Sequence, residues 1–369
     1  MNKYVLFLAV IFFILIFLSG IYIGSYKNFP FQFIDDLIIN LEPKKNASNI
    51  LDLKFDPYSS IDIKNKSDIP EIRYNIINYI WNLDNLPNEI PNTVEKNITD
   101  ERFSDLNNLK NIDKFSIEMK NGVNSFVYVF YANTSNDELI IYHQGHSGGF
   151  INGKSTINYF LENGYSVMAF SMPFVGMNNQ PIINVENIGP IKFSTHDQLK
   201  FLETENFSPL NYFFTPINNS LNYLDMNHNF KNYYMIGISG GGWSSTIYPA
   251  IDTRITKSFA VSGSLPLSLR INSQDIGDYE QLVPDFYKIA NYLELYILSS
   301  YGENREFVQI FNKFDPCCFS GILFENYEDE LIDILEKLNS GSFDIILDDT
   351  HKEHKISEYT LKLILQKIQ

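Results

Sequence analysis

Residues 233–251, with the sequence YYMIGISGGGWSSTIYPAI, decide the fold. The largely apolar run at 233–238 predicts a buried strand, and residues 241–251 predict a helix. The glycines between them leave room for a sharp turn of the backbone. A buried strand that turns directly into a helix is typical of an α/β protein with a parallel sheet.

The turn itself has the pattern Gly-x-Ser-x-Gly, centred on Ser239. Such a turn strains the backbone at the serine, so the neighbouring residues must lack side chains, and Gly237 and Gly241 meet this need. The Ser239 hydroxyl is then expected above the sheet, with the Gly240 N–H aimed at a developing oxyanion. Phosphate-binding turns are the alternative, but they usually carry a lysine or a longer glycine spacing. The pattern therefore predicts Ser239 as a nucleophile.

On both sides of this turn, predicted strands alternate with predicted helices. The strands lie at 115–119, 125–131, 139–142, 165–170, 258–261, 293–299 and 343–347, and the helices at 72–81, 157–163, 209–226, 327–338 and 356–368. The first two strands are expected to form a hairpin across Asn121-Gly122. We predict an α/β fold with a mostly parallel sheet flanked by helices.

The N-terminus predicts a membrane segment that precedes this fold. Residues 4–26 carry no charge and are long enough to cross a bilayer as a helix. We predict a transmembrane anchor at 1–26. A cleaved signal peptide is the alternative, but Phe17 and Leu18 are large for the positions before a cleavage site at Ser19-Gly20.

Composition and charge exclude some classes of function. The chain has 369 residues, 44% of them hydrophobic, and a formal net charge of −16. So acidic a chain is not expected to bind nucleic acid, which requires a cationic surface. The adjacent Cys317 and Cys318 cannot form a disulfide framework or a multi-cysteine metal site. We interpret them as two small apolar residues in a buried turn, with a vicinal disulfide as the alternative.

The run at 237–255, GISGGGWSSTIYPAIDTRI, resembles the nucleophile region of esterase-like members of the α/β-hydrolase superfamily. The resemblance covers roughly residues 110–369. It implies that the nucleophile, the acid and the histidine follow one another in that order along the chain. It also implies that a loop after the third strand donates a second oxyanion N–H, and that neither a metal nor an organic cofactor takes part.

Under this order the general base must follow Ser239, and His351 and His354 are the histidines that do. Both follow the last predicted strand, where an imidazole can take the serine proton. We favour His354, which directly precedes the final helix, over His351. His196 and His228 precede the nucleophile, and we interpret them as ordinary surface or lid residues.

The second oxyanion donor is expected in the segment HQGHSGG at 143–149, which follows the predicted strand 139–142. By the resemblance, Gln144-Gly145-His146 fills the place of the oxyanion loop. We favour the backbone N–H of His146 over that of Gly145. A flexible turn with solvent-facing histidines is the plainer interpretation.

The acid is expected after the predicted strand 293–299. Asp315 is favoured because it lies in an apolar setting before a proline that stiffens the turn. Glu303 is the alternative closer to the strand end. Asp348 and Asp349 are further candidates because they lie beside the histidine loop. The acid must be ionised and must fix the tautomer of the histidine.

We therefore predict that the chain has three parts: the anchor at 1–26, a tether or accessory segment at 27–105 and an α/β-hydrolase domain at 106–369. The long excursion at 171–207 is expected either to cap the site or to pack as a loop on the protein surface. We expect a serine hydrolase that cleaves a small-molecule ester through an acyl-enzyme. The alternatives are an amide or peptide hydrolase with the same triad and an inactive binding protein. The hydrolase domain is expected on the extracytoplasmic side of the membrane.

Overall fold

The computed structural model describes residues 56–272 and 275–369, together with Phe12. The compact unit spans Phe55–Gln369. Apart from Phe12, the predicted anchor at 1–26 lies outside the described residues. Within the described part of the chain, no helix combines the length and the apolar character needed to cross a membrane.

The strands and helices alternate along most of the described chain. The strands are β1 (Thr93–Ile98), β2 (Leu109–Glu118), β3 (Asn124–Ala132), β4 (Leu139–His143), β5 (Ser166–Phe170), β6 (Ile182–Val185), β7 (Gly189–Lys192), β8 (Tyr233–Ile238), β9 (Ile255–Val261), β10 (Glu306–Asn312) and β11 (Ser342–Asp348). The α-helices are α1 (Asp68–Trp81), α2 (Lys154–Glu162), α3 (Asn211–Asn227), α4 (Gly240–Ile251), α5 (Pro284–Ile289), α6 (Tyr292–Ser300), α7 (Glu328–Leu338) and α8 (Glu358–Ile368).

Nine of the described strands form one sheet, in the order β1-β2-β3-β5-β4-β8-β9-β10-β11. The strands from β5 to β11 in this order pair in parallel, whereas β1, β2 and β3 join the edge in antiparallel fashion. The predicted mostly parallel sheet is therefore confirmed. Strands β6 and β7 form a separate antiparallel hairpin inside the excursion at 171–207.

Helices cover both faces of this sheet. Successive side chains of a strand point to opposite faces, and along β4 Ile141 packs in one hydrophobic cluster while Ile140 packs in the other. The first cluster includes buried residues of α1, α3, α4, α6 and α7, and the second includes buried residues of α2 and α8. The parallel strands are thus buried on both sides, and their carboxyl ends form one common edge.

The prediction of a strand at 293–299 is wrong, because these residues form helix α6. The helix begins at a capping box, in which the Asn291 side chain accepts from Leu293 and Glu294 while the Glu294 carboxylate accepts from the Asn291 N–H. All of its residues are buried, so it shows no amphipathic period that would separate it from a buried strand. The strand of this region is β10, which follows the helix.

Residues 56–105 lie within the compact unit that spans Phe55–Gln369. Strand β1 pairs with β2 at the sheet edge. The Arg73 side chain of α1 donates hydrogen bonds to the carbonyls of Ala250 and Leu298, each at 2.9 Å. Strand β1 carries mostly exposed polar residues, so its sequence lacks the alternation that marks a half-buried strand.

Candidate active site

The turn between β8 and α4 holds Ser239 in a backbone conformation that is rare for a residue with a side chain, with φ of 57° and ψ of −126°. A Cβ at Gly237 would lie 2.0 Å from the Gly241 carbonyl oxygen, and a Cβ at Gly241 would lie 2.0 Å from the His143 carbonyl oxygen. Only glycine fits at both positions. The Ser239 N–H donates to the Val261 carbonyl at 2.9 Å, which fixes the turn against β9.

Asp315 and His354 lie together at the carboxyl edge of the sheet. The His354 Nδ1–H donates to Asp315 Oδ2 at 2.7 Å. The Asp315 side chain is fully buried, whereas the His354 side chain is 17% exposed. Among the described residues, His354 Nε2 has no hydrogen-bond partner. This acid–histidine pair therefore has one ring nitrogen fixed by the carboxylate and the other available to a reacting group.

Further donors surround the Asp315 carboxylate. Its Oδ1 accepts from the backbone N–H groups of Cys317 at 2.8 Å and Cys318 at 3.3 Å. Its Oδ2 accepts from the Ser262 hydroxyl at 3.1 Å and the Asn312 amide at 3.2 Å. A buried carboxylate needs such donors to remain ionised.

The electrostatic balance keeps this carboxyl in its charged form. Burial raises the pKa of Asp315, but the hydrogen bond and charge of His354, together with the other donors, outweigh burial and hold the pKa below its ordinary value. A carboxylate that is ionised at neutral pH can hold the imidazole in one tautomer and stabilise it when it becomes protonated.

The fold places Ser239 and the acid–histidine pair at the same edge of the sheet. The carbonyl that receives the Ser239 N–H belongs to Val261, the last residue of β9. The next residue, Ser262, donates its hydroxyl to Asp315. Asp315 follows β10, and His354 follows β11. The three side chains thus follow the carboxyl ends of strands in one parallel sheet, and α/β proteins commonly have their binding and active sites at this edge.

Glu303, the alternative acid, lies apart from this pair. It is exposed and comes between α6 and β10, at the amino end of the strand. Asp315 comes three residues after the other end of the same strand, which ends at Asn312. Glu303 is a candidate for the acid only if residues 293–299 form the strand that precedes the acid. With β10 as the strand, Asp315 occupies the expected position.

The alternatives in the histidine loop have other partners. The His351 side chain is buried, and its Nδ1 accepts from the Glu353 N–H at 3.2 Å. Its Nε2 lies 3.4 Å from Asp348 Oδ2 and forms no hydrogen bond with the described residues. Asp348 accepts hydrogen bonds from the side chains of Thr350, Ser357 and Thr360, which ties the loop to the start of α8. Asp349 is exposed and lies 3.8 Å from the Lys313 ammonium. These contacts suit structural roles.

The segment after β4 lies against the turn that holds the serine. A Cβ at Gly145 would be 2.6 Å from the Ser239 Cβ and 3.2 Å from the Gly240 nitrogen. In the described part of the chain, the backbone N–H groups of Gly145, His146 and Gly240 donate to no acceptor. Gly240 at the start of α4 and this loop can therefore supply N–H donors beside Ser239. Whether His146 or Gly145 is the second donor stays a prediction.

The His146 side chain does not face solvent alone, as the plainer interpretation of this loop supposes. Its Nε2 lies 2.9 Å from His196 Nδ1, 3.0 Å from Glu280 Oε1 and 3.1 Å from Asp278 Oδ2. These four side chains form a histidine–carboxylate cluster, in which one potential ligand atom from each residue lies within 4.8 Å of the other three. The interpretation of His196 as a surface or lid residue is wrong in one respect, because its side chain is only 3% exposed.

Glu280 is the most enclosed member of this cluster, since its side chain is fully buried. Burial raises the pKa of Glu280, but the imidazoles of His196 and His146 outweigh burial and hold it below its ordinary value. No local sequence motif predicts this cluster. Its members come from three separate segments of the chain, so only the tertiary fold brings them together.

Cys317 and Cys318 are joined in a disulfide, and Cys317 is exposed. The interpretation as two small apolar residues in a buried turn is therefore wrong, and the vicinal disulfide that was its alternative is present. Both sulfurs lie close to His354. Since they are bonded to each other, they are not thiolate ligands for a metal.

Comparison with known proteins supports the fold assignment. No protein-family model matches the chain, and no curated protein matches it by sequence. The structure is similar to acetyl xylan esterase 1 from a Thermoanaerobacterium species, with a TM-score of 0.54 and 16% identity over 82% of this chain and 92% of that one. It is also similar to an acetyl xylan esterase from a Paenibacillus species, with a TM-score of 0.55 and 14% identity over 84% and 96% of the two chains. These similarities confirm the fold that the resemblance implies.

Proposed function

We propose that the protein is a serine hydrolase that cleaves a small-molecule carboxylic ester. The observation that carries the proposal is the 2.7 Å hydrogen bond from His354 to the buried Asp315, at the same sheet edge as the strained Ser239. A nucleophile on a tight strand-to-helix turn and an oriented imidazole are the parts that acyl transfer requires. The solved structures of similar fold include esterases, which agrees with this choice.

In the proposed reaction, the Ser239 oxygen attacks the acyl carbon while His354 Nε2 takes the hydroxyl proton. Asp315 holds the imidazole in the required tautomer and stabilises the imidazolium. The N–H groups of Gly240 and of His146, or of Gly145, bind the oxyanion. The imidazolium then protonates the departing alcohol, which leaves an acyl-enzyme at Ser239. His354 then takes a proton from water as it attacks the acyl carbon, and the imidazolium returns a proton to the Ser239 oxygen as the acid leaves.

A panel of chromogenic substrates tests the reaction class. We expect the purified protein to hydrolyse p-nitrophenyl acetate, butyrate or octanoate well above the rate without protein, and acetyl or peptidyl p-nitroanilides far more slowly. Faster cleavage of the anilides would favour an amide or peptide hydrolase. A folded protein without activity on either set would favour a binding protein on this fold.

We further propose that residues 1–26 anchor the protein as a single-pass membrane protein, with the hydrolase domain on the extracytoplasmic side. The support is the uncharged apolar run at 4–26. In cell fractionation, the full chain should stay in the membrane pellet after alkaline carbonate washing and should be digested by protease added outside the cytoplasm. Release by carbonate would contradict the anchor, and protection from the protease would contradict the orientation.

A further inference from the structure

In the histidine–carboxylate cluster of His146, His196, Asp278 and Glu280, the close polar contacts outnumber the hydrogen atoms that the neutral rings can donate. His146 Nε2 has three polar neighbours within 3.1 Å, but a ring nitrogen carries at most one hydrogen. Two of those neighbours are carboxylate oxygens, and the third is the ring nitrogen of the other histidine. A single hydrogen at this nitrogen cannot point at all three neighbours with good hydrogen-bond geometry.

The second histidine shows the same shortage of donors. His196 Nε2 lies 3.0 Å from the Pro173 carbonyl, which only accepts, so this nitrogen carries a hydrogen. In the neutral ring, Nδ1 then presents a lone pair to Glu280 Oε2 at 3.0 Å and to His146 Nε2 at 2.9 Å. Lone pairs on adjacent nitrogen and carboxylate oxygen atoms repel each other. A positive charge, either a second proton on the ring or a cation held between these atoms, turns the contacts into favourable ones.

The environment of the cluster suits a cation that is held away from water. The side chains of Glu280 and His196 are 0% and 3% exposed, and Asp278 at 47% leaves the cluster open on one side. When both imidazoles are neutral, the two ionised carboxylates leave a double negative charge that a dication balances. Buried carboxylates are found paired with cations or bound to metals. Metal-ligating histidines commonly donate their other N–H to a backbone carbonyl, as His196 does to Pro173.

We propose that His146, His196, Asp278 and Glu280 bind a divalent transition-metal ion, with zinc as the preferred ion. Two imidazole nitrogens and two carboxylate oxygens are a donor set that zinc takes, whereas calcium and magnesium prefer oxygen ligands alone. Ligand atoms around tetrahedral zinc are about 3.3 Å apart. His146 Nε2 lies 2.9–3.1 Å from an atom of each of the other three side chains, a few tenths of an ångström closer than this separation, and the four ligand atoms all lie within 4.8 Å of one another.

The position of this site points to a role in holding the active-site loops. A Cβ at Gly240 would lie 2.5 Å from His146 Cε1, so the His146 ring packs directly on the start of α4. His196 belongs to the excursion at 171–207, and Glu280 lies just before α5. The ion would therefore join the loop after β4, which lies against the Ser239 turn, to both of these segments. It would position the loop, while the chemical steps proposed above stay with the side chains.

Metal binding can be measured without any assay of hydrolysis. The chelator-treated full chain is titrated with Co²⁺, whose visible absorption reports nitrogen and oxygen ligands, and with Zn²⁺ by calorimetry. We expect one ion per chain and a thermal midpoint that rises with Zn²⁺ concentration. Glu280→Gln and Asp278→Asn should each weaken Zn²⁺ binding by more than about 100-fold and remove the rise in midpoint. Asp278 is half-exposed, so its variant keeps the test valid if Glu280→Gln fails to fold.

The matched control is His228→Gln. His228 lies outside the cluster and contacts Tyr131, so its replacement should leave Zn²⁺ affinity unchanged. The proposal is overturned if the folded wild-type chain binds neither Co²⁺ nor Zn²⁺, or if Asp278→Asn binds Zn²⁺ as tightly as the wild type. Because the readouts are spectra, heats and melting, a failed ester assay would leave this result intact, and a failed titration would leave the proposed hydrolysis intact.

Discussion

Replacing Ser239 by alanine is expected to lower kcat/KM for ester hydrolysis by about 10⁴- to 10⁶-fold. The variant loses the oxygen that forms the acyl-enzyme, and what remains is the smaller rate enhancement from binding and from the oxyanion donors. The methyl group of alanine fits where the serine Cβ already stands, so the fold should persist. Steady-state kinetics on p-nitrophenyl esters, with circular dichroism of the same samples, measures the loss.

The matched control for this variant is Ser135→Ala. Ser135 is exposed and precedes β4, so it lies at the amino edge of the sheet, opposite the candidate site. Its replacement should leave kcat/KM within about twofold of the wild type. If Ser239→Ala kept a rate comparable to that of the Ser135→Ala control, the nucleophile would lie elsewhere.

Replacing His354 by alanine is expected to have a similarly large effect, about 10⁴- to 10⁶-fold on kcat/KM. Without the imidazole, nothing takes the serine proton or protonates the leaving alcohol. Asp315→Asn should cost about 10⁴-fold, because an amide at this position favours the wrong tautomer of the ring. The double variant should be little slower than His354→Ala, since residues that act as a unit have non-additive effects.

The sequence supplies matched controls for both members of the pair. His351→Ala and Glu303→Gln remove the alternative base and the alternative acid, and each should leave most of the activity in a folded protein. Activity that survives His354→Ala and disappears in His351→Ala would assign the base to His351. A folded Asp315→Asn variant at the wild-type rate would remove Asp315 from the mechanism.

The sequence predicts the centre of the fold better than its ends. The apolar strand β8, its glycine-rich turn and helix α4 can be predicted because buried strands and glycine turns have strong local signals. Helix α6 is misassigned because it is apolar on every face, and only its Asn291–Glu294 capping box distinguishes it from a strand. The polar edge strand β1 is missed because nothing in it alternates.

In the candidate site, too, the residues with a local sequence signal can be predicted and the others cannot. Ser239 follows from its local motif, and His354 follows from the order that the resemblance implies. The apolar setting of Asp315 favours it as the acid. Its distance to His354 depends on the register of β10 and β11, and no local sequence pattern predicts that register. The cluster around Glu280 could not be predicted, because its members lie far apart in the sequence and have no fixed spacing.

Labelling with a fluorophosphonate tests the central claim most directly. The reagent phosphonylates an activated serine with loss of fluoride, and peptide mass spectrometry then locates the adduct. We expect one adduct, on the peptide that contains Ser239, and none in Ser239→Ala. An adduct on a different serine, or none on a folded wild-type chain that hydrolyses esters, would contradict it.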